Sequence, residues 1–214
     1  MANEADADFF APALAAHKDG RYDEAARAYE AGLARRPDDP RGLHYYGVLQ
    51  LQLGRIDEAA VLLARAVAAA PDAPEIRNNY GVALREQGRT AEALAAFRQV
   101  VAARPDQFDG QNNLAAAALA AGDLQDAVTA GNAAHGLAPD RPEPLLTIAT
   151  AFILQRDPEA ALPPLRRVLE GDPGNDRAVA LYRTAMSRLV QPWHFPMMND
   201  GPRNDAYEIG RAHV

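Results

Sequence analysis

The sequence contains no cysteine among its 214 residues. Disulfide bonds, zinc sites with thiolate ligands and catalysis by a thiol are therefore excluded. No apolar run approaches the roughly 18 residues that a membrane-spanning helix needs. The first ten residues, MANEADADFF, are acidic and lack the basic start and apolar core of a secretory signal. We therefore expect a cytoplasmic protein.

Positive charge is also scarce. The chain has 22 lysines and arginines against 29 aspartates and glutamates, a net charge of −7, and no segment concentrates the basic residues. Nucleic acids and anionic membranes attract basic patches, so neither is expected as a partner. Neither a G-x-G-x-x-G motif nor a P-loop occurs. The histidines have no partners at metal-ligand spacing; they are His17, His44, His135, His194 and His213. We expect no catalytic site, no metal and no cofactor in this chain.

A repeat of 34 residues fills most of the chain. Three segments align at this spacing: GRYDEAARAYEAGLARRP from Gly20, GRIDEAAVLLARAVAAAP from Gly54 and GRTAEALAAFRQVVAARP from Gly88. Two more follow, GDLQDAVTAGNAAHGLAP from Gly122 and RDPEAALPPLRRVLEGDP from Arg156. Small residues recur in phase together with large apolar ones. The pattern resembles the tetratricopeptide repeat family over about four fifths of the chain, which implies one helix pair per repeat.

Each phased position has a physical role. Glycine is favoured where a first helix ends in a left-handed residue; these glycines are Gly20, Gly54, Gly88 and Gly122. Small residues are expected where two helices cross closely: Ala25, Ala59, Ala93, Ala127 and Ala161 on the second helices, with Gly47, Gly81, Ala115 and Ala149 on the first. Larger residues are expected to fill the space between helices: Tyr29, Tyr46, Leu63, Tyr80, Phe97, Leu114, Ile148 and Leu165.

These features predict an all-α fold, a right-handed α-solenoid of five helix pairs plus a covering helix. The predicted organisation is an N-terminal tail over residues 1–5, five repeat units over 6–39, 40–73, 74–107, 108–141 and 142–175, and a covering helix over 176–190. Because a single helix pair cannot bury its own apolar face, the pairs are expected to stack.

Prolines and one glycine depart from the pattern. Pro12 predicts that the first helix begins late or is irregular. Pro163 and Pro164 fall inside a second helix and predict a kink there. Gly131 replaces a bulky residue and predicts loose packing.

Pairs of asparagines recur on the first helices of units three and four. The candidate peptide-binding residues are Asn78, Asn79, Asn112 and Asn113, with Tyr45 at the same phase in unit two. An amide both donates and accepts hydrogen bonds, which suits the backbone of an extended peptide. In tetratricopeptide proteins that bind extended chains, asparagines at the positions of Asn79 and Asn113 form such a ladder. The resemblance thus implies a protein or extended peptide as the partner, bound in the concave groove.

Other features of this face leave an alternative open. The asparagines could instead be solvated or make local hydrogen bonds, and unit five has Thr147 in place of a third rung. His44 is expected at the groove lining or the edge of the core. Positive charge could come from Arg41, Arg77 and Arg85. The lysine–asparagine pattern that clamps a terminal carboxylate is absent.

The segment QPWHFPMMNDGPRNDAYE, over 191–208, differs from the repeats. Met197, Asp200, Arg203 and Tyr207 have spacings of three, three and four residues, which place them on one face of a helix. This spacing resembles the segment that precedes the catalytic core of protein arginine methyltransferases, although Gly201-Pro202 interrupts it. The resemblance implies that Met197 packs beside a target arginine and that Arg203 pairs with the carboxylate of S-adenosylmethionine. An unrelated amphipathic tail helix is the alternative.

The last six residues, IGRAHV over 209–214, match one reading frame of a common sequencing adapter, so we expect them to be non-native. Residues 191–208 would then begin a truncated methyltransferase-like domain. Two functions of different class follow: the interaction domain of an S-adenosylmethionine-dependent methyltransferase-like protein, or a stand-alone adaptor without catalysis. A glycosyltransferase preceded by repeats is a weaker third possibility.

Overall fold

The structure, a computed structural model, describes residues 9–189, and this part of the chain consists of eleven helices without a strand. The helices are α1 (Ala11–Lys18), α2 (Tyr22–Arg35), α3 (Pro40–Gln52), α4 (Ile56–Ala69), α5 (Pro74–Glu86), α6 (Thr90–Ala103), α7 (Phe108–Ala121), α8 (Leu124–Leu137), α9 (Glu143–Leu154), α10 (Pro158–Gly171) and α11 (Asp176–Leu189). The fold is the helical-repeat solenoid that the sequence predicts. The predictions made on residues 1–5 and 191–214, including those on Met197 and Arg203, lie outside the described residues.

The helices form two compact units, divided between Ala138 and Pro139. In the first unit, α1 to α8 pack as four consecutive pairs, and successive pairs meet through α2 with α3, α4 with α5, and α6 with α7. Each pair thereby covers the apolar face of the next one, as a repeat architecture requires.

The described part of the second unit contains α9, α10 and α11. The helix α11 packs against both α9 and α10, which is the role predicted for the covering helix. The buried residues of α11 are Ala178 and Ala185. They are seven positions apart and therefore lie on the same face of the helix.

Left-handed residues end the first helix of every repeat. Gly20, Gly54, Gly88 and Gly122 have φ values of 75°, 73°, 74° and 79°, which confirms the predicted role of the phased glycines. The fifth repeat has Arg156 at this position, with a φ of 62°. An L-residue with a side chain adopts this conformation at a cost of roughly 1–2 kcal/mol.

Small residues allow the two helices of a pair to approach closely. A Cβ atom added to Gly47 would lie 2.7 Å from Leu63 Cγ, and one added to Gly81 would lie 2.7 Å from Phe97 Cε1. The phased alanines of the second helices are fully buried: Ala25, Ala59, Ala93, Ala127 and Ala161. The predicted close crossings are confirmed.

The larger residues between the helices are buried, with two exceptions. Tyr46 and Tyr80 are only half-buried. The Tyr46 hydroxyl donates to Glu30 Oε1 at 2.7 Å.

The first repeat is completed by a residue that the repeat pattern does not include. The helix α1 has only eight residues and starts at Ala11, beside Pro12, so it begins late as predicted. Phe10 precedes it, is 2 % exposed, and contacts the positions where Gly32 and Gly42 lack a side chain. Its ring fills the space against these two glycines.

The remaining irregular positions lie in α8 and α10. Helix α10 continues through Pro163 and Pro164 without a break, and the predicted kink stays a prediction. Gly131 is buried in α8, and the loose packing expected around it also stays a prediction.

Candidate functional site

The predicted binding residues of the first unit lie on three neighbouring first helices. The helix α5 contacts both α3 and α7. We use the name polar strip for seven half-buried residues on these helices: His44 and Tyr45 on α3, Asn78, Asn79 and Arg85 on α5, and Asn112 and Asn113 on α7. Because the repeats are in phase, residues 34 positions apart face the same way. The strip therefore brings all five predicted peptide-binding residues to one face of the unit.

The first link of the polar strip joins α3 and α5. Asn79 Nδ2 lies 2.7 Å from His44 Nε2, and the His44 ring stacks on the Tyr45 ring with centroids 5.1 Å apart. Burial lowers the pKa of His44, and the nearby Glu75 carboxylate opposes this shift only in part. A neutral imidazole is therefore favoured, and its unprotonated nitrogen accepts the amide hydrogen.

The second link joins α5 and α7. Asn113 Nδ2 donates to Asn78 Oδ1 at 3.1 Å, and Arg85 Nη1 donates to Asn113 Oδ1 at 3.4 Å. Arg85 is itself held by an ion pair with Glu86 at 3.1 Å. These bonds connect residues of different repeats and are not local, whereas the alternative of solvated asparagines stays a prediction.

The asparagines keep part of their hydrogen-bonding capacity. A side-chain amide has two N–H donors and one oxygen with two lone pairs. Within residues 9–189, Asn79 uses one donor, Asn78 one lone pair, and the Asn112 side chain none. The remaining donors and acceptors of these side chains have no partner among the described residues.

The other polar residues predicted for this face are placed differently. Arg77, on α5, donates to the carbonyl of Pro71 in the connection that precedes this helix. Arg41 is exposed near the start of α3. Thr147 belongs to the second unit, is 7 % exposed, and donates to the Glu143 carbonyl one turn earlier at 3.1 Å. The asparagine pattern is thus confined to the first unit.

His44 was expected at the groove lining or the edge of the core, and it lies on the strip. It was not among the candidate binding residues, and its contact with Asn79 was not predicted from the sequence. Its repeat phase carries the signal, because His44, Asn78 and Asn112 are spaced 34 residues apart. The shared 34-residue spacing of these three positions is the sequence feature that assigns His44 to the strip.

The described residues contain no group of three or more histidines, aspartates or glutamates that could hold a metal ion. None of the helices between residues 9 and 189 is long and apolar enough to cross a bilayer. The strip offers amides, one imidazole, one guanidinium and a tyrosine ring, which is a set suited to recognition through hydrogen bonds and stacking.

A family model described as tetratricopeptide repeat matches residues 10–74, 47–108 and 78–142. These overlapping matches span more than half of the chain, and the chain belongs to the tetratricopeptide repeat family. No curated protein matches it.

Solved structures share the fold at low sequence identity. The crystal structure of YrrB, described as a TPR protein with an unusual peptide-binding site, is 15 % identical with a TM-score of 0.77, covering 85 % of this chain and 94 % of its own. A structure of MamA from AMB-1 is 24 % identical with a TM-score of 0.69, covering 81 % and 94 %. The APC/C hetero-tetramer Cut9-Hcn1 contains a chain that is 21 % identical with a TM-score of 0.70, of which 35 % is covered against 83 % of this chain.

Proposed function

We propose that this tetratricopeptide-repeat scaffold is an adaptor whose first unit binds an extended polypeptide along the polar strip. The family and the fold support a module for protein–protein interaction. The observation that supports peptide binding along the polar strip is the hydrogen bond from Asn113 Nδ2 to Asn78 Oδ1 at 3.1 Å. It aligns asparagines of two repeats on one half-buried face.

The chemistry of the strip defines the kind of partner. Amide groups pair with the N–H and C=O groups that every residue of an extended chain presents, so they read the backbone and not the side chains. The Tyr45 ring, stacked on His44, adds an apolar surface at the α3 end of the strip. YrrB, which shares the fold, is described as a TPR protein with an unusual peptide-binding site, and this supports a peptide ligand for the present chain.

The test is a titration of the full chain with an unstructured peptide made of glycine, serine and alanine, followed by the side-chain amide signals in an NMR spectrum. We expect the signals of Asn78, Asn79 and Asn113 to shift. The same peptide with N-methylated backbone nitrogens cannot donate hydrogen bonds and should cause smaller shifts.

A double substitution separates binding from folding. Asn79→Ala with Asn113→Ala should weaken binding, since each lost bond contributes about 0.5–1.5 kcal/mol. The substitutions also remove the bonds to His44 and Asn78, so the melting temperature should fall somewhat, and circular dichroism verifies that the variant is folded at the titration temperature. Asn132→Ala is the matched control, because Asn132 is exposed on the second helix α8. Equal affinity of the double variant and the control would contradict the proposal.

A second candidate function is favoured by the C-terminal spacing of Met197, Asp200, Arg203 and Tyr207. Under this second hypothesis, the repeats are the N-terminal interaction domain of a protein arginine methyltransferase-like protein that uses S-adenosylmethionine. Sequencing the locus beyond Glu208 tests it, because a strand followed by a glycine-rich loop would support the candidate and its absence would leave the stand-alone adaptor. In such a longer product, Arg203→Ala should raise the Kd of the cofactor roughly tenfold.

A further inference from the structure

A second surface of the first unit carries an open cavity of about 500 Å³. Its lining residues are Tyr46 and Gln50 on α3 and Asp57, Glu58, Val61 and Leu62 on α4. Tyr46 and Gln50 lie one turn apart on a face of α3 that is rotated from Tyr45, since successive residues of a helix turn by about 100°. The cavity is therefore separate from the polar strip.

The floor of this cavity is apolar and open to solvent. Val61 is 61 % exposed. Leu62 and Tyr46 beside it are half-buried. An aliphatic or planar group placed here would remove apolar surface from water, at about 25 cal/mol per Å² buried.

A polar side chain occupies a core position next to this floor. Gln50 is 3 % exposed, whereas the residues at the same phase in the next two repeats are the buried apolar residues Leu84 and Ala118. The Gln50 Oε1 atom is 3.5 Å from Arg55 Nη1, a long hydrogen bond. The second repeat thus departs from its neighbours in placing a buried amide at the cavity.

Carboxylates without cationic partners surround the cavity. Among the described residues, Asp57, Glu58 and Glu30 form no ion pair; Asp57 accepts from Gln87 Nε2 at 2.8 Å, and Glu30 accepts from the Tyr46 hydroxyl. The equivalent of Glu58 in the first repeat, Glu24, is paired with Arg21, and that in the third, Glu92, is paired with Arg89. Arg55 provides one positive charge nearby, so the cavity retains an excess of negative charge.

From these features we propose that the cavity binds an arginine side chain of a partner protein. The aliphatic stem and the guanidinium plane would cover Val61, Leu62 and the Tyr46 ring. The guanidinium would donate to the Asp57 and Glu58 carboxylates, the acceptor type that its forked donors pair with. This site is independent of the peptide-binding proposal for the polar strip.

The experiment uses the full chain with labelled valine and leucine methyl groups and the probe N-acetyl-leucyl-arginyl-leucinamide. We expect saturable shifts of the Val61 and Leu62 methyl signals. The same tripeptide with citrulline, which is neutral and has nearly the same shape, should bind at least about fivefold more weakly, as expected for the loss of one or two exposed charge pairs.

Matched variants identify the carboxylates. Asp57→Asn with Glu58→Gln should weaken the arginine peptide about fivefold and leave the citrulline peptide unaffected. The control is Asp23→Asn with Glu24→Gln, the same changes at the same phase of the first repeat, which should leave both affinities unchanged. Far-ultraviolet circular dichroism verifies that both variants fold.

Three results would overturn the proposal. One is the absence of a shift at Val61 up to a peptide concentration on the order of 10 mM, a range that captures even millimolar affinity. Another is equal binding of the citrulline and arginine peptides. The third is shifts confined to the side-chain amides of the polar strip, which would assign the peptide to that site.

Discussion

Asn79 Nδ2 lies 2.7 Å from His44 Nε2, and this contact joins the first helices of two successive repeats. The amide nitrogen donates, so the contact requires an unprotonated Nε2 on His44. The contact is therefore tied to the protonation state of a half-buried histidine, and acid should act on the polar strip through it.

The stability of the fold should fall as the pH drops below about 6.5 in part because of His44. Burial lowers its folded-state pKa from 6.5. Above the unfolded pKa both states are neutral; below it the unfolded chain takes up a proton that the folded chain resists, so the free energy of unfolding decreases. Urea unfolding at about pH 8 and about pH 5.5 measures this change.

His44→Gln supplies the comparison for that measurement, because glutamine keeps an amide at the site and does not titrate. We expect the variant to lose less stability between the two pH values than the original chain does. An identical loss in both proteins would show that His44 does not contribute.

Ala93 should be among the least tolerant positions of the first unit. It is fully buried on α6, where the helix crosses its neighbours closely. Ala93→Leu should lower the free energy of unfolding by about 1–3 kcal/mol through overpacking. Ala95→Leu, on the exposed face of the same helix, should change it by less than about 0.5 kcal/mol. Similar effects of the two substitutions in urea unfolding would contradict the assigned repeat phase.

Two glycine-to-alanine changes should have opposite signs. Gly88 has a φ of 74°, so Gly88→Ala forces a side chain into the left-handed region and should destabilise by about 1 kcal/mol. Gly136 lies in α8 with open space around its Cα, so Gly136→Ala should stabilise by up to about 1 kcal/mol. Thermal and urea unfolding of the two variants check both signs. Stabilisation by Gly88→Ala would contradict the helix-end geometry.

The site was predicted only in part by the sequence. The repeat phase placed Asn78, Asn79 and Asn113 on one face, because equivalent residues of stacked repeats face the same way. The phase could not show which amide donates to which neighbour, since that depends on side-chain rotamers set by the distance between helices. The partnership of His44 with Asn79 is of this kind.

The sequence by itself determined the repeat, the helix pairs, their glycine ends and the buried alanines, because these follow from local conformational cost and from periodicity. Only the tertiary structure decided how Phe10 completes the first repeat, where the chain divides near Ala138, and which carboxylates lack cationic partners around Val61. These properties arise from distances between residues far apart in sequence, which a repeating pattern does not encode.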